Sequence, residues 1–316
     1  MICTVTGAAG FIGSHLTRRL IREGHTVIGI DSFTDYYPRW IKEENAHSLL
    51  KEKKFHLIDE DINTLDLKKT IKESSYIFHL AAQAGVRASW GESFSIYTQD
   101  NIEATQKLLE AAKSLPVKKF IYASSSSVYG YSPELPMSET SPLYPYSPYG
   151  VTKLAAENLC FLYYKNFGLP TVSLRFFTVY GPGQRPDMAF HKFLRRIAEG
   201  KPIPIYGNGE QTRDFTYIDD IIEANYACID HARPGEIYNI GGGNRRKLED
   251  LIPLFEEICQ KKVRIQWENS KKGDVPHTLA DIQKATAGLG YKPQTDLRAG
   301  LREEWDWIRR LYSNQG

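Results

Sequence analysis

The stretch Gly7-Ala8-Ala9-Gly10-Phe11-Ile12-Gly13 decides the fold of this chain. It follows a short β-rich run, residues 2–6, and leads into residues 11–23, where apolar side chains recur every three or four positions. Its three glycines allow a tight turn, a close backbone approach to a pyrophosphate, and close packing of a helix on a strand. Their spacing is G-x-x-G-x-x-G rather than the general G-x-G-x-x-G, so the turn alone is weak evidence. The order of strand, glycine turn and helix predicts the first unit of a nucleotide-binding α/β fold.

The rest of the first half repeats this alternation of short β-rich runs and longer amphipathic segments. Such an alternation predicts a parallel sheet with crossover helices, a doubly wound Rossmann-type α/β fold. The predicted strands span residues 2–6, 26–30, 55–58, 76–80, 120–123 and 171–174. The predicted helices span residues 11–23, 105–115 and 149–166.

After about residue 176 the sequence becomes richer in Gly and Pro, with shorter helical patterns and isolated strands such as 236–240. This change predicts a smaller C-terminal α/β region that closes over the carboxyl ends of the strands, where such folds bind ligands. We expect a dinucleotide-binding domain at residues 1–175 with a returning segment at about 213–240. A substrate-binding domain would then comprise residues 176–212 and 241–316.

Composition excludes several classes of protein. With 316 residues, 41% hydrophobic and 25% charged, the chain is typical of a globular protein. Its 40 basic and 38 acidic side chains are spread along its length, so neither nucleic acid nor a membrane surface is an expected partner. We expect a cytoplasmic protein, because the sequence opens without a signal-peptide pattern and contains no apolar run of membrane-spanning length. The cysteines lie in apolar patterns without a C-x-x-C pair, which predicts reduced, buried thiols and no metal site at Cys3, Cys160, Cys228 and Cys259.

Asp31 ends the second predicted strand, about 20 residues after the glycine turn. A carboxylate there can bind both ribose hydroxyls of a dinucleotide and repel a 2′-phosphate, which favours NAD over NADP. The alternative is that Asp31 only caps a turn, but the strand, turn and helix context favours the cofactor. Asp61 and Ile62, after the third strand, are candidates to flank the adenine, although an acidic surface loop explains them nearly as well.

Tyr149 and Lys153 lie four residues apart on one face of a predicted helix, whose start is marked by Ser147 and Pro148. A phenol with a pKa of ~10 must lose about three units to act as a base near neutrality, at a cost of ~4 kcal/mol. An ammonium about 4 Å away supplies a similar amount at an effective dielectric constant of 20. We therefore predict that Lys153, aided by an oxidised nicotinamide, poises Tyr149 as a proton acceptor. Y-x-x-x-K alone is common by chance, but the hydroxyls of residues 124–127 follow the fifth predicted strand at the same sheet edge.

With these residues assembled, the chain resembles the extended short-chain dehydrogenase/reductase family, in particular its nucleotide-sugar epimerases, dehydratases and decarboxylases. The resemblance covers essentially all 316 residues. Beyond the residues already named it rests on His79-Leu80-Ala81-Ala82-Gln83, Asn101, Ser125 and Leu174-Arg175-Phe176-Phe177-Thr178-Val179-Tyr180-Gly181-Pro182. By this resemblance Ser125 binds the 4-hydroxyl of the sugar, Tyr149 takes its proton, and hydride passes from C4 to NAD. Lys153 holds the nicotinamide ribose and tunes Tyr149.

The resemblance also implies a set of NAD-binding residues. These are Gly7, Gly10, Phe11, Ile12, Gly13, Asp31, Asp61, Ile62, Leu80, Ala81, Ala82, Asn101 and Lys153.

Ser126 and Ser127 distinguish among members of the family. Dehydratases and decarboxylases carry an acidic residue at one or both of these positions, because a second acid or base must act at C5 or C6. Without a carboxylate there, we expect oxidation at C4 to be followed by return of the hydride to the other face, which is 4-epimerisation. Thr178 stands where hexose 4-epimerases typically have Asn, and residues 31–37 and 185–190 resemble UDP-glucuronate 4-epimerases.

A uronate needs hydrogen-bond donors for its carboxylate, which Ser126, Ser127, Thr178 and Arg185 can provide. For Arg185 a surface salt bridge to Asp187 is an equally good expectation. The 4-keto uronate is a β-keto acid and loses carbon dioxide when the C5 carboxylate bond stands perpendicular to the ketone plane. We hypothesise that a fixed grip on the carboxylate prevents this alignment.

Residues 204–207 and 209–215 resemble the nucleotide clamp of the family, with Arg213 as a bidentate donor to the diphosphate. Residues 273–275 resemble the segment that binds the uridine ribose. Lys271 and Lys272 stand where the family often has Arg, which leaves the third phosphate contact open. Arg87 either faces the sugar or braces a loop. The predicted substrate-binding residues are Arg87, Ser126, Ser127, Thr178, Arg185, Met188, Ala189, Phe190, Ile205, Tyr206, Arg213 and Asp274.

Three other functions stay open at this point. The chain can be a UDP-glucose 4-epimerase, a UDP-glucuronate decarboxylase with an acid supplied from elsewhere, or a non-catalytic NAD-sensing protein on the same scaffold. The Tyr149 and Lys153 pair argues against the last of these. The resemblance also implies a homodimer, formed through the helices that include residues 100–115 and 149–167.

Overall fold

The computed structural model describes residues 1–132 and 134–313. Its strands are β1 (Ile2–Thr6), β2 (Thr26–Ile30), β3 (Phe55–Ile58), β4 (Tyr76–His79), β5 (Lys119–Ser125), β6 (Thr171–Phe176), β7 (Thr178–Tyr180), β8 (Ile203–Tyr206), β9 (Thr212–Tyr217), β10 (Ile237–Ile240), β11 (Asn244–Lys247) and β12 (Ile265–Glu268). Its helices are α1 (Phe11–Arg22), α2 (Arg39–His47), α3 (Leu67–Thr70), α4 (Phe94–Tyr97), α5 (Ala104–Ala112), α6 (Pro148–Phe167), α7 (Ala189–Ala198), α8 (Ile218–Ala227), α9 (Ile252–Cys259), α10 (Gln283–Leu289) and α11 (Leu297–Ser313).

Seven of the strands form one parallel sheet in the order β10-β6-β5-β4-β1-β2-β3. The chain starts at β1, extends the sheet first through β2 and β3, and then crosses to β4 on the other side of β1. The reversal between β1 and β4 is a topological switch point, and such folds open a ligand crevice there at the carboxyl ends of the strands. The predicted doubly wound Rossmann-type fold is confirmed.

The strands of this sheet are buried on both faces, as a parallel sheet covered by helices requires. All residues of β4 and β6 are buried. Along β5 the side chains alternate between two cores: Ile121 and Ala123 join the larger one, whereas Phe120 and Tyr122 pack on the opposite face against α5 and α6. The sheet is therefore a rigid platform for side chains at its carboxyl edge.

The helix predicted at residues 105–115 has a different start and end. α5 covers residues 104–112 and continues α4 through a π-helical turn at Thr98–Glu103. Apolar periodicity does not reveal such a turn, because it inserts one extra residue without changing the residue types. π-helical turns inside helices are frequent at functional sites.

The C-terminal half adds two small sheets above the crevice. β9 pairs with β7 in parallel and with β11 in antiparallel orientation, and β12 pairs with β8. Between these strands β10 returns to the edge of the main sheet beside β6. The last three residues of the predicted second domain, 314–316, lie outside the described part.

Two further observations concern the chain as a whole. In residues 1–132 and 134–313, no helix is both long enough and apolar enough to span a membrane. The four cysteines are buried with free thiols, as their apolar surroundings in the sequence predict.

Candidate active site

A cavity of about 670 Å³ opens at the carboxyl ends of β1, β2, β4 and β5 and extends under the C-terminal region. Its wall contains the glycine turn, the serines after β5, the start of α6, and the segments around residues 185–193, 206–215 and 273–278. This volume is typical of small-molecule sites. With three exceptions, described below, the predicted site residues all line this one cavity.

The glycine turn has the backbone that a pyrophosphate needs. Gly7 adopts φ +71°, a left-handed conformation that L side chains rarely take. A Cβ at Gly13 would overlap the carbonyl oxygen of Gly7, so only glycine permits this close packing of α1 on β1. Gly10 is the N-cap of α1 and brings no side chain to the first N–H groups of the helix. These groups are therefore available to an anion in the cavity.

Asp31 is held at the end of β2 by two backbone donors. Ala9 N donates to Asp31 Oδ2 at 3.0 Å, and Phe33 N donates to Asp31 Oδ1 at 2.9 Å. A carboxylate oxygen can accept more than one hydrogen bond, so both oxygens keep capacity for ribose hydroxyls. The contact with Phe33 N is the turn contact that the alternative interpretation of Asp31 predicted. Asp31 also lines the cavity.

Two further carboxylates, Asp61 and Asp100, line the cavity. Asp61 accepts a hydrogen bond from Asn63 N at 2.8 Å, and Ile62 lies beside it. Asp100, in the π-helical turn, was not identified from the sequence. Burial, together with the charge of Asp61, raises the pKa of Asp100 to about 6. The pair forms an acceptor-rich wall suited to an adenine amino group.

The start of α6 presents the tyrosine and the lysine. Ser147 is the N-cap and accepts a hydrogen bond from Gly150 N at 3.1 Å, with Pro148 in the first turn, as the sequence predicts. Lys153 is buried and donates from Nζ to Ala123 O at 2.8 Å, beside the ring of Tyr122 at 4.9 Å. Both α6 residues line the cavity with Ser125 from the end of β5.

Tyr149 is buried beside polar and charged groups of the cavity wall. Burial raises the pKa of Tyr149, and the Arg185 guanidinium and a hydrogen bond with Ser125 oppose this effect. Lys153 is itself so buried that its pKa is lowered to about 7. The role predicted for Lys153 in poising Tyr149 with the oxidised nicotinamide stays a prediction.

Arg185 lies in the cavity wall as half of an ion pair. Its Nε and Nη2 donate to the two carboxylate oxygens of Asp187 at 3.0 and 3.1 Å, and Tyr36 OH donates to Asp187 Oδ2 at 3.2 Å. Burial favours a higher pKa for Asp187, but Arg185 and Tyr36 outweigh it and lower the pKa. The Asp187 salt bridge expected from the sequence therefore forms, but in the cavity wall, where it holds Asp187 ionised.

The sugar end of the cavity is rich in hydroxyl groups. Ser125, Ser126 and Ser127 follow β5, and Thr178 begins β7 next to them. Ser127 N donates to Ser125 Oγ at 3.1 Å, so the hydroxyl proton of Ser125 is not used in this bond. Hydroxyls at this place can donate to a sugar carboxylate or to a sugar hydroxyl.

Basic side chains line the far end of the cavity. Arg213 is anchored by its Nη1 donating to Thr212 O at 2.9 Å, and burial lowers its pKa. Arg87 pairs with Asp274 through Nη2 at 2.7 Å, and its guanidinium lies 4.1 Å from the centre of the Tyr206 ring. Arg87 thus braces a loop and also lines the cavity, so contact with the sugar stays a prediction.

Lys192, on α7, lines the same end and was not identified from the sequence. Burial lowers its pKa, and Arg87 acts in the same direction. It is a candidate for the phosphate contact that the sequence left open. A single lysine in an amphipathic helix carries no signal that separates it from a surface residue.

The three exceptions do not line the cavity. The side chain of Asn101 is engaged by Gln83 and Thr152. Phe190 is stacked in the core on Phe215 at 4.4 Å, and Ile205 is buried because alternation along β8 turns Tyr206, not its neighbour, to the cavity. Their prediction as ligand-binding side chains is therefore corrected.

Other cavity residues were not among the predicted site residues, although Thr34, Tyr36 and Gln211 lie in segments that carry the family resemblance. They include Thr34, Tyr36, Lys42, Gln211 and Thr278. Among the described residues, no group of three or more His, Cys, Asp or Glu is arranged to hold a metal ion.

A parallel sheet that opens at its switch point onto a glycine turn, with a carboxylate at the end of the second strand, is typical of a dinucleotide-binding enzyme fold. The serine, tyrosine and lysine set at the same edge narrows the class to an extended short-chain dehydrogenase/reductase. A model of the NAD dependent epimerase/dehydratase family matches residues 3–241. The chain belongs to this family.

Known relatives share nearly the whole chain. The uncharacterized UDP-glucose epimerase YtcB of Bacillus subtilis (strain 168) is 45% identical over 315 residues, covering 98% of this chain and 99% of the relative. A UDP-glucuronate 4-epimerase of Thermodesulfobacterium geofontis (strain OPF15) is 41% identical, covering 96% and 95%. The crystal structure of UDP-glucuronic acid 4-epimerase from Bacillus cereus, in complex with UDP-glucuronic acid and NAD, has a TM-score of 0.96 at 46% identity, covering 99% and 100%.

Proposed function

We propose that this protein is an NAD-dependent 4-epimerase that interconverts UDP-glucuronate and UDP-galacturonate through a transient 4-keto sugar. The observation that carries the proposal is the sugar end of the cavity. There, hydroxyls and a guanidinium surround Tyr149, while the neighbouring carboxylate, Asp187, is bound on both oxygens. The similarity to a structure that contains UDP-glucuronic acid and NAD supports the same assignment.

The cavity fits NAD. Only glycine permits the packing at Gly13, the first N–H groups of α1 are available to the pyrophosphate, and Asp31 offers its carboxylate to the adenosine ribose. We assign Lys153 to the nicotinamide ribose, as the resemblance implies. When bound, NAD supplies the acceptor and later the donor of the hydride at C4.

The protein's own part in the reaction is proton transfer at the 4-hydroxyl. Tyr149 removes the hydroxyl proton, and Ser125 donates a hydrogen bond that favours the phenolate. Arg185 lowers the cost of the phenolate charge in this buried position. After the keto sugar has turned to present its other face, Tyr149 returns a proton to the oxygen as the alcohol re-forms. No cofactor is consumed, because the hydride comes back to the same carbon.

Asp187 bears on the choice between epimerisation and decarboxylation or dehydration. These other reactions need a second proton donor or acceptor near C5 or C6. Asp187 is paired with Arg185 and has a lowered pKa, so it is a poor proton donor near neutrality. Ser126, Ser127 and Thr178 instead act as the donors that grip the uronate carboxylate and keep it out of the perpendicular orientation that releases carbon dioxide.

The nucleotide half of the substrate is assigned to the cationic end. Arg213 and Lys192 face the diphosphate, and Asp274 and Tyr206 meet the uridine. Binding by Asp274 requires that it exchange its pairing with Arg87 for the ribose hydroxyls. We assign the backbone around Met188 and Ala189, which also line the cavity, to the sugar.

A second candidate is a UDP-glucose 4-epimerase. One observation favours it: the charge of Arg185 is already neutralised by Asp187, so a neutral 6-hydroxyl does not leave an unpaired cation in the cavity. The relative YtcB carries this activity in its name.

We further propose that the protein works in the cytoplasm as a homodimer, with the domain boundaries inferred from the sequence. Four free, buried thiols fit a reducing compartment. α6 exposes Val151, Phe161, Leu162 and Phe167, an apolar set suited to contact with a second copy of the chain.

The test of the function is incubation of the purified chain with UDP-glucuronate and NAD, with product identification by NMR, and a parallel reaction with UDP-glucose. UDP-galacturonate without a pentose nucleotide supports the proposal. A pentose product identifies a decarboxylase, and faster turnover of UDP-glucose identifies the second candidate.

A further inference from the structure

A buried cation stands next to the carboxylate that selects the cofactor. Lys42, on α2, is only 6% exposed, and its Nζ lies 3.9 Å from Asp31 Oδ1. Both residues line the end of the cavity that receives the adenosine ribose. Buried lysines are uncommon unless they have a partner or a ligand.

Within the described part of the chain, Lys42 Nζ makes two hydrogen bonds. An ammonium group has three N–H donors. Two are directed to Thr34 O at 3.0 Å and Thr34 Oγ1 at 3.2 Å. The separation of 3.9 Å from Asp31 is too long for a direct hydrogen bond. The third donor of Lys42 and the spare acceptor capacity of Asp31 therefore face the same small volume.

The loop that seats Lys42 is held in an unusual conformation. Phe33 adopts φ +47°, in the left-handed region that favours glycine. Its N–H is fixed on Asp31, and its ring lies 4.5 Å from the guanidinium of Arg39. This turn directs the Thr34 carbonyl towards Lys42. Such strain persists where the surrounding structure enforces it, often at ligand sites.

We propose that Lys42 is the second determinant of cofactor selection: it donates to a ribose hydroxyl of NAD that in turn donates to Asp31, and it would bind a 2′-phosphate if Asp31 were absent. A ribose hydroxyl between the two residues accepts a hydrogen bond from Lys42 through its oxygen and donates its own O–H to Asp31. A 2′-phosphate at that place would meet the Asp31 carboxylate as well as Lys42. Selection against NADP thus depends on the Asp31 carboxylate. The Lys42 ammonium is present whether or not Asp31 is.

Other charges facing this pocket do not offer the same role. Arg39 is engaged outward with Asp59 at 2.7 Å and Glu43 at 2.9 Å. Lys42, in contrast, lines the cavity beside Asp31. The inference rests on the proposed use of NAD.

The test is a competition between cofactors. The full-length chain is exchanged against an equal mixture of NAD and NADP and washed, and the bound dinucleotides are released by denaturation and separated by chromatography. The wild-type chain should retain NAD. Asp31→Ser should raise the bound NADP to NAD ratio, and adding Lys42→Met should lower it again by about 10-fold or more, the worth of one hydrogen bond to a charged group. Lys53→Met in the Asp31→Ser background is the matched control, because Lys53 is exposed near the amino end of β3, opposite the cavity.

The outcomes separate the inference from the proposed function. If Lys42→Met leaves the ratio of the Asp31→Ser protein unchanged, or lowers it no more than Lys53→Met does, the inference is wrong. If the wild-type chain retains no NAD, the proposed NAD-dependent function is contradicted, and the inference about Lys42 falls with it. Should Asp31→Ser not fold, Asp31→Asn keeps the side-chain size and carries the same comparison. Lys42→Arg keeps a cationic donor. Combined with Asp31→Ser or with Asp31→Asn, it should preserve the raised ratio of bound NADP to NAD.

Discussion

Asn101 donates from Nδ2 to Thr152 Oγ1 at 2.9 Å, and Thr152 in turn donates to the carbonyl oxygen of Tyr149 at 2.8 Å. The same amide binds Gln83 twice: its Oδ1 accepts from Gln83 N at 2.8 Å and its Nδ2 donates to Gln83 O at 3.0 Å. One buried side chain in the π-helical turn thus joins the loop after β4 to the first turn of α6. The position of Tyr149 over the cavity depends on this connection.

Replacing Asn101 by Ala should destabilise the protein and slow catalysis together. The substitution leaves buried partners at Gln83 and Thr152 without their hydrogen bonds, at about 1–3 kcal/mol for each unsatisfied group. Denaturant unfolding and kcat measure the two effects. Gln99→Ala, in the same turn but exposed, is the control. A variant as stable as the wild type would contradict the role given to Asn101.

Tyr149→Phe should abolish most turnover while leaving binding intact. A positioned acid or base contributes about 10²–10⁴-fold to the rate, and this substitution removes only the phenolic hydroxyl. NAD retention and the affinity for UDP should change less than a few-fold. Tyr164→Phe, on the same helix away from the cavity, should turn over like the wild type. Unchanged turnover in Tyr149→Phe would overturn the proposed mechanism.

The two members of the Arg185 and Asp187 pair should move the pH profile in opposite directions. Arg185 lowers the pKa of Tyr149 and Asp187 raises it. The rising limb of kcat/KM reports deprotonation of a base in the free enzyme. It should therefore shift to higher pH in Arg185→Met and to lower pH in Asp187→Asn. Shifts of the same sign in both variants would show that their charges do not act on Tyr149.

Removing one member of the buried ion pair between Arg175 and Glu157 should strongly lower the free energy of unfolding. Arg175 donates from Nε and Nη2 to the two carboxylate oxygens of Glu157 at 3.0 and 2.6 Å, and both side chains are almost inaccessible. Removing one partner of such a pair costs about 3–5 kcal/mol, because the other charge is left buried.

The measurement is the free energy of unfolding of Glu157→Gln, compared with a matched exposed pair. Asp306→Asn, which breaks the exposed contact with Arg309, should change stability by less than about 1 kcal/mol. An equally small loss in Glu157→Gln would show that Arg175 finds another partner, or that solvent reaches the pair.

His79 should make the fold sensitive to acid. Its ring lies between Thr6 Oγ1 at 2.8 Å and Thr105 Oγ1 at 2.9 Å, and burial lowers its pKa to about 3. Burial also lowers the pKa of His191 to about 4. Because the folded-state values lie below the unfolded value, the stabilisation is present above pH ~6.5 and is lost as the pH falls, by up to about 1.4 kcal/mol per pH unit for each histidine.

Unfolding free energies measured between pH 7 and pH 5 test this dependence. His79→Gln keeps polar atoms at the site but cannot titrate, so its slope should be smaller than that of the wild type by one proton. His231→Gln, on the surface, is the control for a histidine outside the core. An unchanged slope in His79→Gln would mean that the ring does not resist protonation.

Much of the fold and of the candidate site follows from short-range patterns. The glycine turn, the carboxylate after β2, the hydroxyls after β5 and the Tyr149 and Lys153 spacing each lie within a few residues of a recognisable strand or helix boundary. In a parallel sheet all carboxyl ends meet at one edge, so residues predicted at different strand ends are brought to one cavity. The order of the strands and the π-helical turn do not follow in this way, since hydrophobic periodicity describes which face is buried but not which neighbour covers it.

The sequence by itself determined the class of fold and predicted the cofactor end of the cavity and the acid–base residue, because each is encoded by residue types at fixed spacing along one local element. Only the tertiary structure decided that Arg185 stands where its charge lowers the pKa of Tyr149, that Lys42 stands beside Asp31, and that Asn101 supports α6 instead of lining the cavity. Each of these joins residues on different elements. Their distances are set by how helices and loops pack on the sheet, and charge and hydrogen bonding act through those distances, not through separation along the chain.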